Sequence, residues 1–327
     1  MSHRHLMPLR TRAFTSAYER TARRDFANFT PEQIAEDRAK VMPTRPPASW
    51  VTGAVPDGVT FSTAQIPMRD GTTIRARIAR TRSAAAHAPV IIYYHGGGWT
   101  LSNPANYDSL TGYLASTLGA VVVGPDYRKA PQDKAPQASF DAYDSLLWVA
   151  SRPSEVDATG PIAVAGDSAG GNLSAVVSLM ARDLEGPTIA GQALIYPATD
   201  LTRSHPSSRW REEAVLTGES MDFFLEAYLN EADVTAEDPL VSPLWASSHA
   251  DLPPCLIQTA ECDPLVDEGE RYGAILEAAG VPTRVTRYAQ MPHGFMSFPG
   301  VAPVAAQARS ELSRCLRDWL STSPKTR

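Results

Sequence analysis

The chain has 327 residues, 43% of them hydrophobic and 20% charged, with a formal net charge of -6. That suits one large soluble α/β domain or two small ones, and it argues against nucleic acid, whose phosphates want a basic surface. No apolar run approaches the ~18 residues of a membrane span.

The first 40 residues are arginine-rich (Arg4, Arg10, Arg12, Arg20, Arg23, Arg24) but lack the apolar core of a signal peptide. Glu19, Asp25 and Glu32 interrupt the positive charge, so a charged helix is expected rather than a targeting peptide. Residues 11–40 read as helical, and Thr30-Pro31-Glu32-Gln33 has a helix start: a cap, proline at the first position and acids in the first turn. Met42-Pro43-Thr44-Arg45-Pro46-Pro47 breaks this pattern, dividing helices over 1–50 from a main domain over 51–327.

Two strand-like runs, 59–66 and 72–80, follow, joined through Arg69-Asp70-Gly71 as a hairpin. Strands are then expected at 90–94, 120–124, 162–165, 192–196, 254–259 and 283–288. Helices are expected at 105–118, 138–150, 172–184, 266–279 and 302–320. Short apolar strands alternating with helices predict an α/β fold, a mostly parallel sheet of about eight strands covered on both faces. An insertion at 201–252, with a helix near 221–229, breaks the rhythm. It carries Trp210, Phe223, Phe224, Tyr228 and Trp245, and reads as a lid or as an excursion with its own small core.

Gly166-Asp167-Ser168-Ala169-Gly170 follows the strand at 162–165 and opens a helix. A nucleophilic serine needs a sharp strand-to-helix turn, and flanking glycines let strand and helix approach without Cβ clashes. His95-Gly96-Gly97-Gly98 follows the strand at 90–94. The Walker lysine and the G-x-G-x-x-G pattern are absent, and His95 has no metal-ligand partner nearby, so neither a phosphate loop nor a metal fits. A loop of bare main-chain N–H groups facing a developing oxyanion fits best. The donors are assigned to Gly97, Gly98 and Ala169. His95, Gly96, Trp99 and Asp167 are read as loop-orienting or pocket residues.

A serine needs a base, and the base an orienting carboxylate. His293 lies just past the strand at 283–288, whereas His205 and His249 fall in the insertion and read as surface-loop residues. Asp-Pro-Leu-Val occurs at both Asp238 and Asp263. Asp263 follows a strand and is favoured as the acid, although it also reads as a helix cap. Asp267 and Glu268 read as first-turn acids, Glu268 also as a supporting residue near the site. Cys255, Cys262 and Cys315 are odd in number and read as free thiols, with a cytoplasmic location as the expectation.

From about residue 60 onward the chain resembles the hormone-sensitive-lipase-like, bacterial family IV esterases of the α/β-hydrolase superfamily. The motifs that carry this are His95-Gly-Gly-Gly-Trp99, Asp126-Tyr127-Arg128, Gly166-Asp-Ser-Ala-Gly-Gly171, Asp263-Pro-Leu-Val-Asp-Glu268 and His293-Gly-Phe295. Tyr196-Pro197 and Ser242-Pro243-Leu244 are lesser echoes. The resemblance implies cofactor-free hydrolysis of short-to-medium acyl esters, a cap built from the N-terminal helices and the insertion, and dimerisation through the strand at 283–288. Lys129 stands where the family usually has leucine, and Val266 where arginine is commoner, so an ion pair is expected to be missing at Val266. An amide hydrolase or deacetylase with the same triad, and a non-catalytic ligand-binding homologue, are the alternatives. Phe223, Phe224 and Tyr228 are expected to line an acyl pocket or to form the cap's core. Trp99 is expected to shape the pocket wall or anchor the loop.

Overall fold

The computed structural model describes residues 3–21, 26–82 and 84–321. Arg23, Arg24 and Asp25 lie outside these. Eight strands form one sheet: β1 (Val59–Pro67), β2 (Thr73–Thr81), β3 (Val90–Tyr94), β4 (Val121–Pro125), β5 (Ile162–Asp167), β6 (Gln192–Ile195), β7 (Cys255–Cys262) and β8 (Thr283–Pro292). Their order is β1-β2-β4-β3-β5-β6-β7-β8. The β1–β2 and β2–β4 pairs are antiparallel, and all others are parallel. At the expected hairpin, Asp70 Oδ1 accepts the Thr72 amide at 3.0 Å, and Gly71 takes a φ of 82° that favours glycine.

The helices are α1 (Leu9–Thr21), α2 (Pro31–Ala39), α3 (Ser49–Thr52), α4 (Asp108–Leu118), α5 (Gln137–Ala150), α6 (Ala169–Asp183), α7 (Gly218–Leu229), α8 (Val266–Ala278) and α9 (Ala305–Ser321). Residues 11–40 are therefore not one helix. A 3-10 turn at Phe26–Asn28 separates α1 from α2, and Thr30 closes a capping box with Gln33 at the start of α2. Among the described residues, no helix is long and apolar enough to cross a membrane.

The sheet is covered on both faces, and its central strands β3, β4, β5 and β6 are buried at every position. Ile92, Tyr94, Val123 and Val164 pack with Leu146, Leu173 and Val176 of α5 and α6. Ile91, Tyr93, Val122 and Ala163 point the other way, onto Leu114 of α4 and Leu312 and Leu316 of α9. Each such buried side chain contributes about 1.5–3 kcal/mol over its exposed state. The loops at the C-terminal ends of β3, β5, β7 and β8 converge, which is where open parallel sheets place their ligands.

Candidate active site

Strand β5 ends at Asp167, and α6 begins at Ala169, three residues earlier than expected. Ser168 is alone in the turn, with φ 55° and ψ -121°, a conformation that side chains other than glycine rarely adopt. The neighbouring glycines explain how the turn closes. A Cβ on Gly166 would come within 2.2 Å of the Gly170 carbonyl oxygen, and one on Gly170 within 1.9 Å of the Tyr94 oxygen. Gly170 and Gly171 are thus helical residues selected for close approach, although their propensity argues against a helix.

His293 follows β8, which runs four residues past its expected end. Its Nε2 lies 2.9 Å from Ser168 Oγ, and its Nδ1 lies 2.7 Å from Asp263 Oδ2. Asp263 follows β7 and is fully buried. Its other oxygen accepts the Leu265 amide at 2.9 Å, an Asx turn just ahead of α8, whose N-cap is Leu265 and not Asp263 as the helix-cap reading had it. Asp238 instead closes a local turn with the Leu240 amide. His249 is buried, its Nε2 against the Pro243 carbonyl at 2.9 Å, and His205 is half-buried, 3.2 Å from Asp200 Oδ2. The expectation that both histidines are surface residues is therefore corrected. The Ser and Pro neighbours that suggested a surface, Ser204, Pro206, Ser247 and Ser248, are themselves exposed, while the two rings turn inward.

The glycine loop lies beside Ser168 and His293 on the wall of a cavity of about 1430 Å³. Gly97 and Gly98 have φ of 120° and 59°. The Gly96 amide donates to Asp167 Oδ1 and to Tyr107 Oη, both at 3.0 Å. Asp167 also accepts from Tyr93 Oη at 3.0 Å and from Tyr107 Oη at 3.2 Å. Burial pushes the Asp167 carboxyl up to about 6, against the pull of these donors and of His293. His95 stacks on Tyr127 with ring centroids 4.4 Å apart, and its Nδ1 lies 2.7 Å from the Gly96 oxygen. Burial, with Lys129 nearby, lowers His95 to about 3, so it is a neutral ring in contact with the loop at the Gly96 oxygen. Lys129 is itself buried, its Nζ 2.6 Å from Asp126 Oδ1.

Trp99 is buried and stacks on Tyr228 at 4.7 Å. Trp99 thus packs on Tyr228 of the core and also lines the cavity. Of the five insertion aromatics, Phe224 alone lines the cavity among the described residues. Its ring covers Gly98, with three ring carbons within 2.6 Å of where a Cβ would lie. Phe223 packs on Phe26 at 5.2 Å and on Phe29 at 5.6 Å. Phe26 and Phe29 also line the cavity, and nothing in their local sequence pattern signals it. Val266, standing where the family more often has arginine, is buried, and Glu268 is buried with Oε1 accepting the Thr199 amide at 2.8 Å. Among the described residues, no group of three or more His, Cys, Asp or Glu is placed to hold a metal.

Residues 91–297 match the family model described as alpha/beta hydrolase fold. "Esterase LipI" of Mycobacterium tuberculosis is 41% identical over 225 residues, spanning 68% of this chain and 70% of its own length. "Carboxylesterase NlhH" of the same organism is 41% identical over 225 residues, covering 67% and 70% of the two chains. The crystal structure of a thermostable esterase from Pseudomonas putida superposes with a TM-score of 0.86 at 30% identity, covering 97% of this chain and 98% of that one.

Proposed function

The chain belongs to the α/β-hydrolase family, in its hormone-sensitive-lipase-like branch, and from that membership we propose that it is a serine carboxylesterase for short-to-medium acyl esters. The observation that carries the reading is the hydrogen-bonded row Ser168–His293–Asp263, at 2.9 and 2.7 Å, opening on the cavity beside the glycine loop.

Ser168 Oγ attacks the ester carbonyl while its proton passes to His293 Nε2. Asp263 holds the His293 Nδ1–H and stabilises the imidazolium that forms. The carbonyl oxygen becomes an anion and is met by the N–H groups of Gly97, Gly98 and Ala169. The Ala169 amide opens α6 and has no partner within the helix. One such donor is worth about 2.7–4 kcal/mol in comparable enzymes. His293 then gives its proton to the leaving alcohol, and water repeats the sequence on the acyl-enzyme.

The N-terminal segment to about residue 50 and the insertion at 201–252 serve as a cap. Their support is that both supply cavity-lining aromatics, Phe26 and Phe29 from one, Phe224 from the other. Strand β8 is an outer strand of the sheet, a surface on which a second copy would pair. The three free cysteines suit a reducing cytoplasm.

Hydrolysis of p-nitrophenyl esters from acetyl to palmitoyl, with Ser168→Ala in parallel, tests the reading. The expected result is a maximum at short chains that vanishes in the variant. Turnover retained by Ser168→Ala would overturn it.

A further inference from the structure

Three consecutive glycines have no conformational preference that would aim their N–H groups. The aim must come from hydrogen bonds made by the rest of the molecule. On one side, Asp167 and Tyr107 hold the Gly96 amide. On the other, the loop closes on itself. The Leu101 and Thr100 amides donate to the Gly97 oxygen at 2.8 and 3.1 Å, and Thr100 Oγ1 donates to the Gly98 oxygen at 2.9 Å. Thr100 is fully buried and is the point from which both glycines are gripped.

The Thr100 oxygen is bonded from outside the domain core. Arg38, in the last turn of α2, donates from Nε to the Thr100 carbonyl at 2.7 Å, across 62 residues of sequence. Its Nη2 reaches the Ala130 carbonyl at 2.5 Å and the Lys129 carbonyl at 3.4 Å, and its Nη1 reaches Gln132 Oε1 at 2.9 Å. The Ala130 amide in turn donates to the Trp99 oxygen at 2.9 Å. The guanidinium thus ties both ends of one small network, using its planar fork in a way that a lysine cannot. The end of α2 is fixed as well. Asn103 Nδ2 donates to the Arg38 and Lys40 oxygens at 2.7 and 2.9 Å, and Asn106 Oδ1 accepts the Met42 amide at 2.7 Å. Burial disfavours the Arg38 charge, and Asp133 and Asp126 oppose that.

We propose that Arg38 is a positioning residue for the reaction, a bond from the N-terminal cap that sets the direction of the Gly97 and Gly98 N–H groups through Thr100. This rests on the esterase reading of the site. It also makes the N-terminal helix part of the rate-determining geometry as well as a wall of the cavity. A bond that aims donors acts on the transition state and leaves ground-state binding nearly unchanged.

The test compares Arg38→Ala, Arg38→Lys and Gln132→Ala on p-nitrophenyl butyrate. It adds inhibition by an alkyl trifluoromethyl ketone, whose adduct with the serine carries an oxyanion. Arg38→Ala is expected to lose about tenfold to a hundredfold in kcat, with KM within about threefold. The inhibition constant rises in step. Arg38→Lys recovers part of the loss, since one ammonium can still reach the Thr100 oxygen. Gln132→Ala removes only the peripheral bond and stays near wild type. A rise in KM at unchanged kcat, or an unchanged inhibition constant, would show that Arg38 merely shapes the cavity and would overturn the proposal. If the alanine chain fails to fold, the lysine chain carries the same comparison. Failure of the wild type to hydrolyse any ester would instead remove the esterase reading.

Discussion

Asp167 Oδ1 accepts the Gly96 amide at 3.0 Å, so the residue before the proposed nucleophile holds the first residue of the glycine run. This carboxyl is fully buried and titrates at about 6, raised from 3.8 chiefly by loss of water. A raised folded pKa means the folded state binds the proton more tightly. The group's contribution to stability is complete below about pH 4 and is lost as pH rises through about 6. In Asp167→Asn that slope is absent. Urea unfolding of both chains between pH 4 and 7 is expected to show wild type losing, relative to the variant, on the order of 3 kcal/mol. A difference that stays flat across the interval would contradict the assignment.

The two glycines proposed as donors differ in what blocks a side chain. At Gly97 a Cβ would lie 2.3 Å from the Leu101 carbonyl oxygen, which is main chain, whereas at Gly98 it would strike the Phe224 ring. Gly97→Ala is expected to abolish turnover irretrievably. Gly98→Ala is expected to lose turnover and to regain much of it in the double variant with Phe224→Leu, because the αL conformation itself costs alanine only about 1–2 kcal/mol. Steady-state kinetics of both single variants, and of each combined with Phe224→Leu, decide this. Equal rescue at both positions would refute the distinction.

The hydrogen-bonded row Ser168–His293–Asp263, the glycine loop and the positions of the eight strands were legible in the sequence because each rests on local geometry: a turn, a strand end, a missing Cβ. Less local features were not. Gly170 and Gly171 fall before the expected helix start at 172, since only the Tyr94 oxygen beneath Gly170 and Pro197 beside Gly171 explain their place in α6. His249 read as exposed because its Ser and Pro neighbours give no sign of the packing against Tyr272, 5.5 Å away. The contacts of Arg38 span 62 to 94 residues and follow no period, so no pattern along the chain could indicate them.

Asp263→Asn keeps the shape of the acid but would place an amide against His293 Nδ1, favouring the wrong tautomer. A fall in kcat on the order of 10⁴ is expected with the thermal midpoint nearly unchanged. Stopped-flow or end-point hydrolysis of p-nitrophenyl butyrate checks the rate. Retention of a tenth of the activity would mean that a different group orients the histidine.

Glu268 Oε1 accepts the Thr199 amide at 2.8 Å and the Asp200 amide at 3.3 Å, and its burial raises its pKa well above the usual range. Glu268→Ala leaves two buried N–H groups unpaired and is expected to destabilise by about 2–5 kcal/mol, whereas Glu268→Gln keeps the acceptor and stays within about 1 kcal/mol. The wild-type carboxyl loses its contribution as pH rises through its raised pKa. The glutamine chain should therefore gain on wild type in thermal unfolding as pH rises above the ordinary carboxylate range. Equal losses in both variants would count against this role.

The aromatic contact between Phe26 and Phe223, 5.2 Å between centroids, joins two segments nearly two hundred residues apart in the chain. Its consequence is one of inheritance. Part of the cavity's aromatic lining comes from these two touching segments, which therefore have to change together. Grafting residues 201–252 from a relative would transplant half of an interlocked pair, leaving Phe26 and Phe29 facing a surface they do not fit. Libraries that recombine both segments as a matched set should yield new substrate preferences far more often than libraries that shuffle either piece alone.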